Sequence, residues 1–313
     1  VKRIVLFTLG GTIAMSAAAD PVNPQLTGAD LLASLPEGVP DVQVRDFAAK
    51  PAGWLTFAEI ALLAKEIRQS NADGYVVTMG TDTLEEVAFL LDLWHHSDVP
   101  LVVTGAMRHP QLPSPDGPAN LLAALTVAAS PAAAGRGVLT VLNDEIHSAR
   151  WVHKGHSTRL DAFCSPGSGP VGLLAEGVAI FHSGPVPRLA VGLPQREATV
   201  GLVTATLSDA GGWLSAYPEN GLVVAGFGVG HVPECWVDGL AMLSERIPVV
   251  LASRTGAGPV LKATYGFPGS ESDLRQRGLI GASQLDPLKA RVLLWALLAN
   301  NATREQIAAT FSG

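Results

Sequence analysis

Cysteine, tyrosine, charge and long apolar runs are what this chain has little of. Only Cys164 and Cys235 occur in 313 residues. Two cysteines cannot build a disulfide framework and show no paired zinc spacing, so both read as small core residues. Charged residues are 16% of the chain, with a formal net charge of −7. No basic stripe is visible of the kind a polyanion demands, which argues against a nucleic-acid partner. No apolar run approaches the ~20 residues of a membrane helix, which argues against a membrane partner. The densest patch, 292–299, reads as a buried helix. The chain opens Val-Lys-Arg and enters an apolar strand at once, with no leader-like stretch before it. Cytoplasm is therefore the expected location, although a leader already removed would leave the same sequence.

What is present is core material, 48% apolar, in a length that suits one large or two moderate domains. Short apolar runs at 4–7, 75–78, 101–104 and 138–142, with an alternating segment at 42–47, are interleaved with helical patterns at 56–69, 83–94 and 118–129. In the first of these helices Phe57, Ile60, Ala61, Ala64 and Ile67 share a face. Such alternation predicts βαβ units and a parallel sheet. The stretch 184–198 is rich in proline and glycine and reads as a linker. Beyond it, strands at 200–204, 221–225 and 248–252 alternate with helices from about Asp209 and from 233 to 246. A last helix begins at Pro287, capped by Asp286. The expected fold is α/β: a larger N-terminal parallel-sheet domain over 1–183, the linker, and a smaller C-terminal α/β domain over 199–313.

Two threonines stand out, each in a glycine-flanked turn after an apolar strand. Thr12 lies in Thr8-Leu-Gly-Gly-Thr-Ile-Ala14, and Thr81 in Val77-Thr-Met-Gly-Thr-Asp-Thr-Leu-Glu-Glu86. The carboxyl ends of parallel strands are where open α/β sheets take ligands. A threonine hydroxyl becomes a nucleophile once a neighbour takes its proton. Either turn can equally be a tight strand-to-loop connection, and Asp82 with Glu85 fits a helix capping box. Residues 15–28, with Asp20, Pro21 and Pro24, read as a mobile loop. Asn143-Asp144-Glu145 and Arg150-Trp-Val-His-Lys154 complete the polar candidates, with Lys154 a proton-transfer group or a surface lysine.

Several chemistries are disfavoured. His147, His153 and His156 match no standard ligand spacing, so no metal is expected. Gly226-Phe-Gly-Val-Gly230 is not the dinucleotide spacing, and no G-x-S-x-G elbow occurs. No organic cofactor is expected.

Together these segments resemble the bacterial-type L-asparaginases. Further blocks agree in order along the chain: Val103-Thr-Gly-Ala-Met-Arg108, Asp116-Gly-Pro-Ala-Asn-Leu121, Leu142-Asn-Asp144, Phe163-Cys-Ser-Pro166 and Leu285-Asp-Pro-Leu-Lys-Ala-Arg-Val-Leu-Leu294. The resemblance implies hydrolysis of L-asparagine to L-aspartate and ammonia, with Thr12 as the nucleophile that forms an acyl-enzyme. It gives Thr81, Asp82 and Lys154 as a second cluster, Asp82 also holding the substrate amine. Backbone at Gly11, Gly80 and Thr81 would line the site. Glu271 matches an acid lent across a dimer interface, within a tetramer built as a dimer of dimers. The alternatives are an amidase for L-glutamine or another amide, and a non-catalytic amino-acid-binding protein on this scaffold.

The chain departs from that pattern at three places. The family's loop tyrosine has no counterpart among Tyr75, Tyr217 and Tyr265, which leaves the base for Thr12 unassigned. The pair that grips the substrate carboxylate falls at Ala52 and Gly53, where only backbone can serve. His231 stands where the family has an interfacial asparagine. Fewer polar grips imply weaker affinity and blurred discrimination.

Overall fold

The computed structural model describes residues 2–16, 23–24, 26–36, 38 and 40–312. Residues 17–22 and 25 of the expected mobile loop lie outside this set. The chain forms two compact units, Val1–Ala190 and Val191–Gly313.

In the N-terminal unit the strands and helices run β1 Arg3–Thr8, β2 Met15–Ser16, β3 Asn23–Pro24, α1 Gly28–Ala33, β4 Asp41–Asp46, α2 Phe57–Gln69, β5 Gly74–Thr78 and α3 Leu84–Trp94. They continue β6 Leu101–Thr104, α4 Gly117–Ala129, β7 Val138–Leu142, β8 Glu145–Ser148, β9 His153–Lys154, β10 Phe163–Cys164, β11 Gly172–Ala175 and β12 Val178–Phe181. The main sheet has the order β12-β11-β8-β7-β6-β5-β1-β4. Strands β4, β1, β5, β6 and β7 are parallel, whereas β8, β11 and β12 continue the sheet antiparallel. The central strands β5, β6 and β7 are buried along their whole length, as expected where helices cover both faces of a parallel sheet. Leu121, Ala124, Leu125 and Ala128 of α4 join Leu31 of α1 in one core with Ile4, Leu6, Val76, Val102, Leu139 and Val141.

Local chemistry explains the helix starts. Thr56 and Glu59 form a reciprocal capping box on α2, which satisfies N–H groups the helix leaves open. The buried stripe of α2 is Ile60, Leu63, Ala64 and Ile67; Leu63 takes a place in it, and Phe57 and Ala61 are only half-buried. Asn143 and Asp144, both at positive φ, form the two-residue turn between β7 and β8. A hairpin turn of this kind needs two such residues, so the segment is a structural corner.

The C-terminal unit runs β13 Val200–Thr204, β14 Gly221–Gly226, α5 Val237–Arg246, β15 Val249–Ser253, α6 Glu271–Gln276, β16 Ile280–Gly281, α7 Pro287–Leu298 and α8 Arg304–Ser312. Its four strands pair in sequence order and all parallel. Asp286 accepts the Lys289 N–H at the start of α7, with Pro287 in its first turn. Val237, Leu240 and Leu243 of α5 pack with Leu222, Val224, Val249 and Leu251 around buried Trp236.

Two expectations are corrected. No α-helix starts near Asp209: a short 3-10 turn covers Gly212–Ala216. Asp209 is instead a loop anchor, its carboxylate accepting the Gly211 N–H at 2.8 Å and its carbonyl the Trp236 indole at 2.9 Å. The cysteines are exposed, not in the core; in each case a neighbouring aromatic, Phe163 or Trp236, takes the buried position.

Candidate active site

Register brings the two threonine turns together. Strands β1 and β5 are adjacent and parallel, with Thr8 opposite Thr78, so both chains leave the sheet at the same end. The Leu9 N–H donates to the Thr78 carbonyl at 2.9 Å. Gly11 and Gly80 then pack backbone to backbone. A Cβ added to Gly11 would stand 2.1 Å from the Gly80 nitrogen, and Gly11 has φ of +83°. Both facts demand glycine. A Cβ on Gly80 would meet the Cβ of Ala52 at 2.8 Å. Residues 11, 52 and 80 thus share one contact, with Thr12 and Thr81 flanking it in sequence. Ala52 is buried and its carbonyl accepts the Thr83 hydroxyl at 3.1 Å. Gly53 beside it is exposed.

Lys154 enters this region from β9, part of a two-stranded ribbon with β10. Its Nζ donates to Thr81 Oγ1 at 2.9 Å and to Asp82 Oδ1 at 3.0 Å. Lys154 lies over seventy positions from Thr81 and Asp82 in the chain, yet the three form one cluster. The lysine side chain is only 15% exposed and Asp82 is 78% exposed, so the carboxylate looks to solvent while the ammonium is half withdrawn. A cation held against a hydroxyl in a partly dry site supports proton transfer at that oxygen.

The capping box expected from Asp82 and Glu85 is absent. Thr83 takes the cap position of α3 without a side-chain bond to the helix N–H groups. Glu85 is instead buried, with its Oε1 accepting the Lys154 backbone N–H at 3.2 Å and its Oε2 3.2 Å from His153 Nδ1. Sequence reasoning missed this role because the partners lie 68 and 69 residues away. The signal on offer was local and pointed to the cap.

Neighbouring loops are fixed by two further polar residues. Asp116 accepts the N–H groups of Met107 and Arg108 at 2.9 and 2.8 Å. Asn120 donates to the Gly105 carbonyl and accepts the Asn143 N–H, both at 3.0 Å. The segment after Thr12 is anchored where it is described: Leu26 N–H donates to Ala14, and Gly28 N–H to Asp46 Oδ1, which also accepts the Thr8 hydroxyl.

His231 and Glu271 lie in the C-terminal unit, 3.2 Å apart. The Glu271 side chain is fully buried, and its Oε1 accepts the N–H groups of Thr264 and Tyr265. Burial alone would push this carboxyl up; the Tyr265 and Thr264 amides, with His231, outweigh it and hold it below the usual carboxylate range. The His231 ring sits edge-on between Tyr265 and Phe267, each at 5.0 Å.

The three tyrosines are engaged elsewhere. Tyr75 donates to the Ser70 carbonyl, Tyr217 bonds Gly201 and Gly221, and Tyr265 packs on His231. Of the histidines singled out above, His147 is buried with Nδ1 2.9 Å from Ser165 Oγ. His156 caps the Thr158 and Arg159 N–H groups. Among the described residues no three His, Cys, Asp or Glu side chains are grouped to hold a metal ion.

Comparison with known proteins follows the same division of the chain. Residues 3–186 match the family model described as asparaginase, N-terminal, and 199–311 the glutaminase/asparaginase C-terminal domain. A probable L-asparaginase of Deinococcus radiodurans is 39% identical, over 100% of this chain and 98% of its own. An L-asparaginase of Bacillus licheniformis is 33% identical over 96% of each. The crystal structure of a probable cytoplasmic L-asparaginase from Campylobacter jejuni superposes with a TM-score of 0.88 at 32% identity, covering 100% of this chain and 99% of that one.

Proposed function

Because this chain belongs to the asparaginase family, we propose that it converts L-asparagine to L-aspartate and ammonia through a threonyl ester. It is an amidohydrolase, and the observation that carries the mechanism is the Thr81–Lys154–Asp82 cluster beside the Gly11–Gly80 contact. In this reading Thr12 Oγ1 attacks the side-chain amide carbon, the hydroxyl proton reaches the amide nitrogen, and ammonia leaves. Thr81 and Lys154 then manage the proton of the water that cleaves the ester, which releases aspartate and restores the Thr12 hydroxyl. Backbone N–H groups at Gly11 and Thr81 face the developing oxyanion, a term worth about 3 kcal/mol per donor in well-studied hydrolases.

Binding follows from what remains open. The exposed Asp82 carboxylate holds the substrate amine, and main chain at Ala52, Gly53 and Gly80 receives its carboxylate. The acid lent by a neighbour is Glu271, with His231 beside it, in a homotetramer built as a dimer of dimers. Its lowered pKa keeps it charged for an ammonium group. The N-terminal domain, 1–183, carries the nucleophile, and 199–313 completes the neighbour's site. No helix among the described residues is long and apolar enough to cross a membrane; the cytoplasmic relative named above favours the cytoplasm.

An ammonia-release panel tests the reading, with L-asparagine, D-asparagine, L-glutamine and a β-aspartyl dipeptide as substrates. L-asparagine is expected to turn over fastest. Saturable binding of L-asparagine without ammonia would replace the enzyme with a binding protein.

A further inference from the structure

The buried carboxylate of Glu85 lies in the first turn of α3, four residues after Thr81. We propose that Glu85 is a positioning residue for the reaction: it sets the reach of Lys154 by holding that residue's backbone while Thr81 and Asp82 hold its ammonium. The inference rests on the function proposed above and adds a residue to it.

Lys154 is gripped at both ends by one short segment. Its main-chain N–H meets Glu85 Oε1 at 3.2 Å; its Nζ meets Thr81 and Asp82 at 2.9 and 3.0 Å. All three acceptors lie between residues 81 and 85, on the turn and first turn that follow β5. The second Glu85 oxygen faces His153, the residue next to Lys154 on β9. A carboxylate that is 4% exposed is costly to bury unless its oxygens are engaged. Here both oxygens serve the strand that delivers the lysine. The ribbon β9–β10 is two strands of two residues and is separate from the main sheet, and so short a pair gives little independent rigidity. A bond from a packed helix supplies it. Displacing a reacting group by about 1 Å can cost on the order of 100-fold in rate, so the length of residue 85 matters more than its charge.

That distinction gives the test. Glu85→Gln keeps the reach and an acceptor oxygen; Glu85→Asp keeps the charge and draws the acceptor back by one methylene. Ammonia release is measured per folded molecule for both, with thermal unfolding as the folding check, beside Thr12→Ala. The expected result is a kcat loss of at most threefold for Gln and tenfold or more for Asp, with KM within twofold in each. If Glu85→Asp does not fold, Glu85→Leu, which fills the space without an acceptor, is read in its place against the same tenfold loss. Wild-type kcat in the shortened or apolar variant overturns the inference, as does a reversed order with Gln the poorer enzyme. Thr12→Ala separates the two levels: its activity near wild type discards the mechanism itself, whereas an inactive Thr12→Ala with unaffected Glu85 variants discards only the positioning role.

Discussion

Each unit sets a carboxylate against a nitrogen-bearing side chain, and the two pairs are built in opposite senses. In the N-terminal unit the acid is open and the base is withdrawn: Asp82 is 78% exposed and Lys154 15%. In the C-terminal unit the acid is fully buried and His231 is 21% exposed. An exposed carboxylate has lone pairs free for a ligand. Glu271 has two backbone amides and an imidazole already on its oxygens, so it fixes its own loop whatever else it does. In the function proposed above, Lys154 of the N-terminal pair takes part in the chemistry, while Asp82 and the C-terminal pair hold the substrate in the ground state.

Substitutions at the two pairs should therefore differ in kind. Lys154→Met is expected to lower kcat by ~10²–10⁴-fold, the usual worth of a positioned proton-transfer group, with unfolding temperature little changed. A kcat within threefold of wild type would erase the contrast. Backbone packing sharpens it next. Gly11→Ala forces a side chain into the Gly80 backbone at positive φ and should destabilise by about 2–5 kcal/mol in denaturant titration. Gly266→Ala, with no atom beyond its two chain neighbours within 4 Å of the added Cβ, should be neutral.

Acid should separate the units as well. Burial, foremost, pushes His95 and His147 of the N-terminal unit down to about 4 from an ordinary 6.5. The unfolded chain takes up these protons first, so stability present above pH 6.5 is lost as pH falls toward 4. The loss is on the order of 3 kcal/mol per histidine. Glu271, whose pKa is lowered from 4.5, gives up its contribution only as pH falls below that value. Hydrogen exchange, corrected for intrinsic rate, should show the N-terminal unit opening first on acidification; simultaneous opening would contradict this. A smaller effect on the reaction than at Lys154 is expected at Glu271→Ala, which should raise KM about tenfold, equivalent to about 1.4 kcal/mol of binding. Its kcat should hardly move, and an unchanged KM would remove Glu271 from the site.

Strands β1, β5, β6 and β7 were readable from apolar runs, β4 from alternation, and α7 from Asp286 and Pro287, because patterning and capping are local signals. The Gly-Thr repeat likewise pointed to one region of the fold. Three features were not readable. The antiparallel extension β8, β11 and β12 has strands of four residues, and those of β11 and β12 leave Leu173, Val178 and Ile180 exposed, so no run both apolar and buried announces it. Glu85 carried a plausible capping pattern while its partners lay across the fold. The segment after Asp209 was read as the helix the alternation called for, but Gly211 at φ +69° turns the chain there and a 3-10 turn suffices. In each case a non-local partner or a backbone constraint outweighed the local pattern.

The most direct test is the initial rate of ammonia release from L-asparagine by Thr12→Ala, taken per folded molecule. Loss of at least ~10³-fold with an unchanged unfolding curve is the predicted outcome, as for removal of a nucleophile in other hydrolases. A rate near that of the unmodified chain would contradict the account, since the hydroxyl beside the Gly11–Gly80 contact would then not be the attacking group.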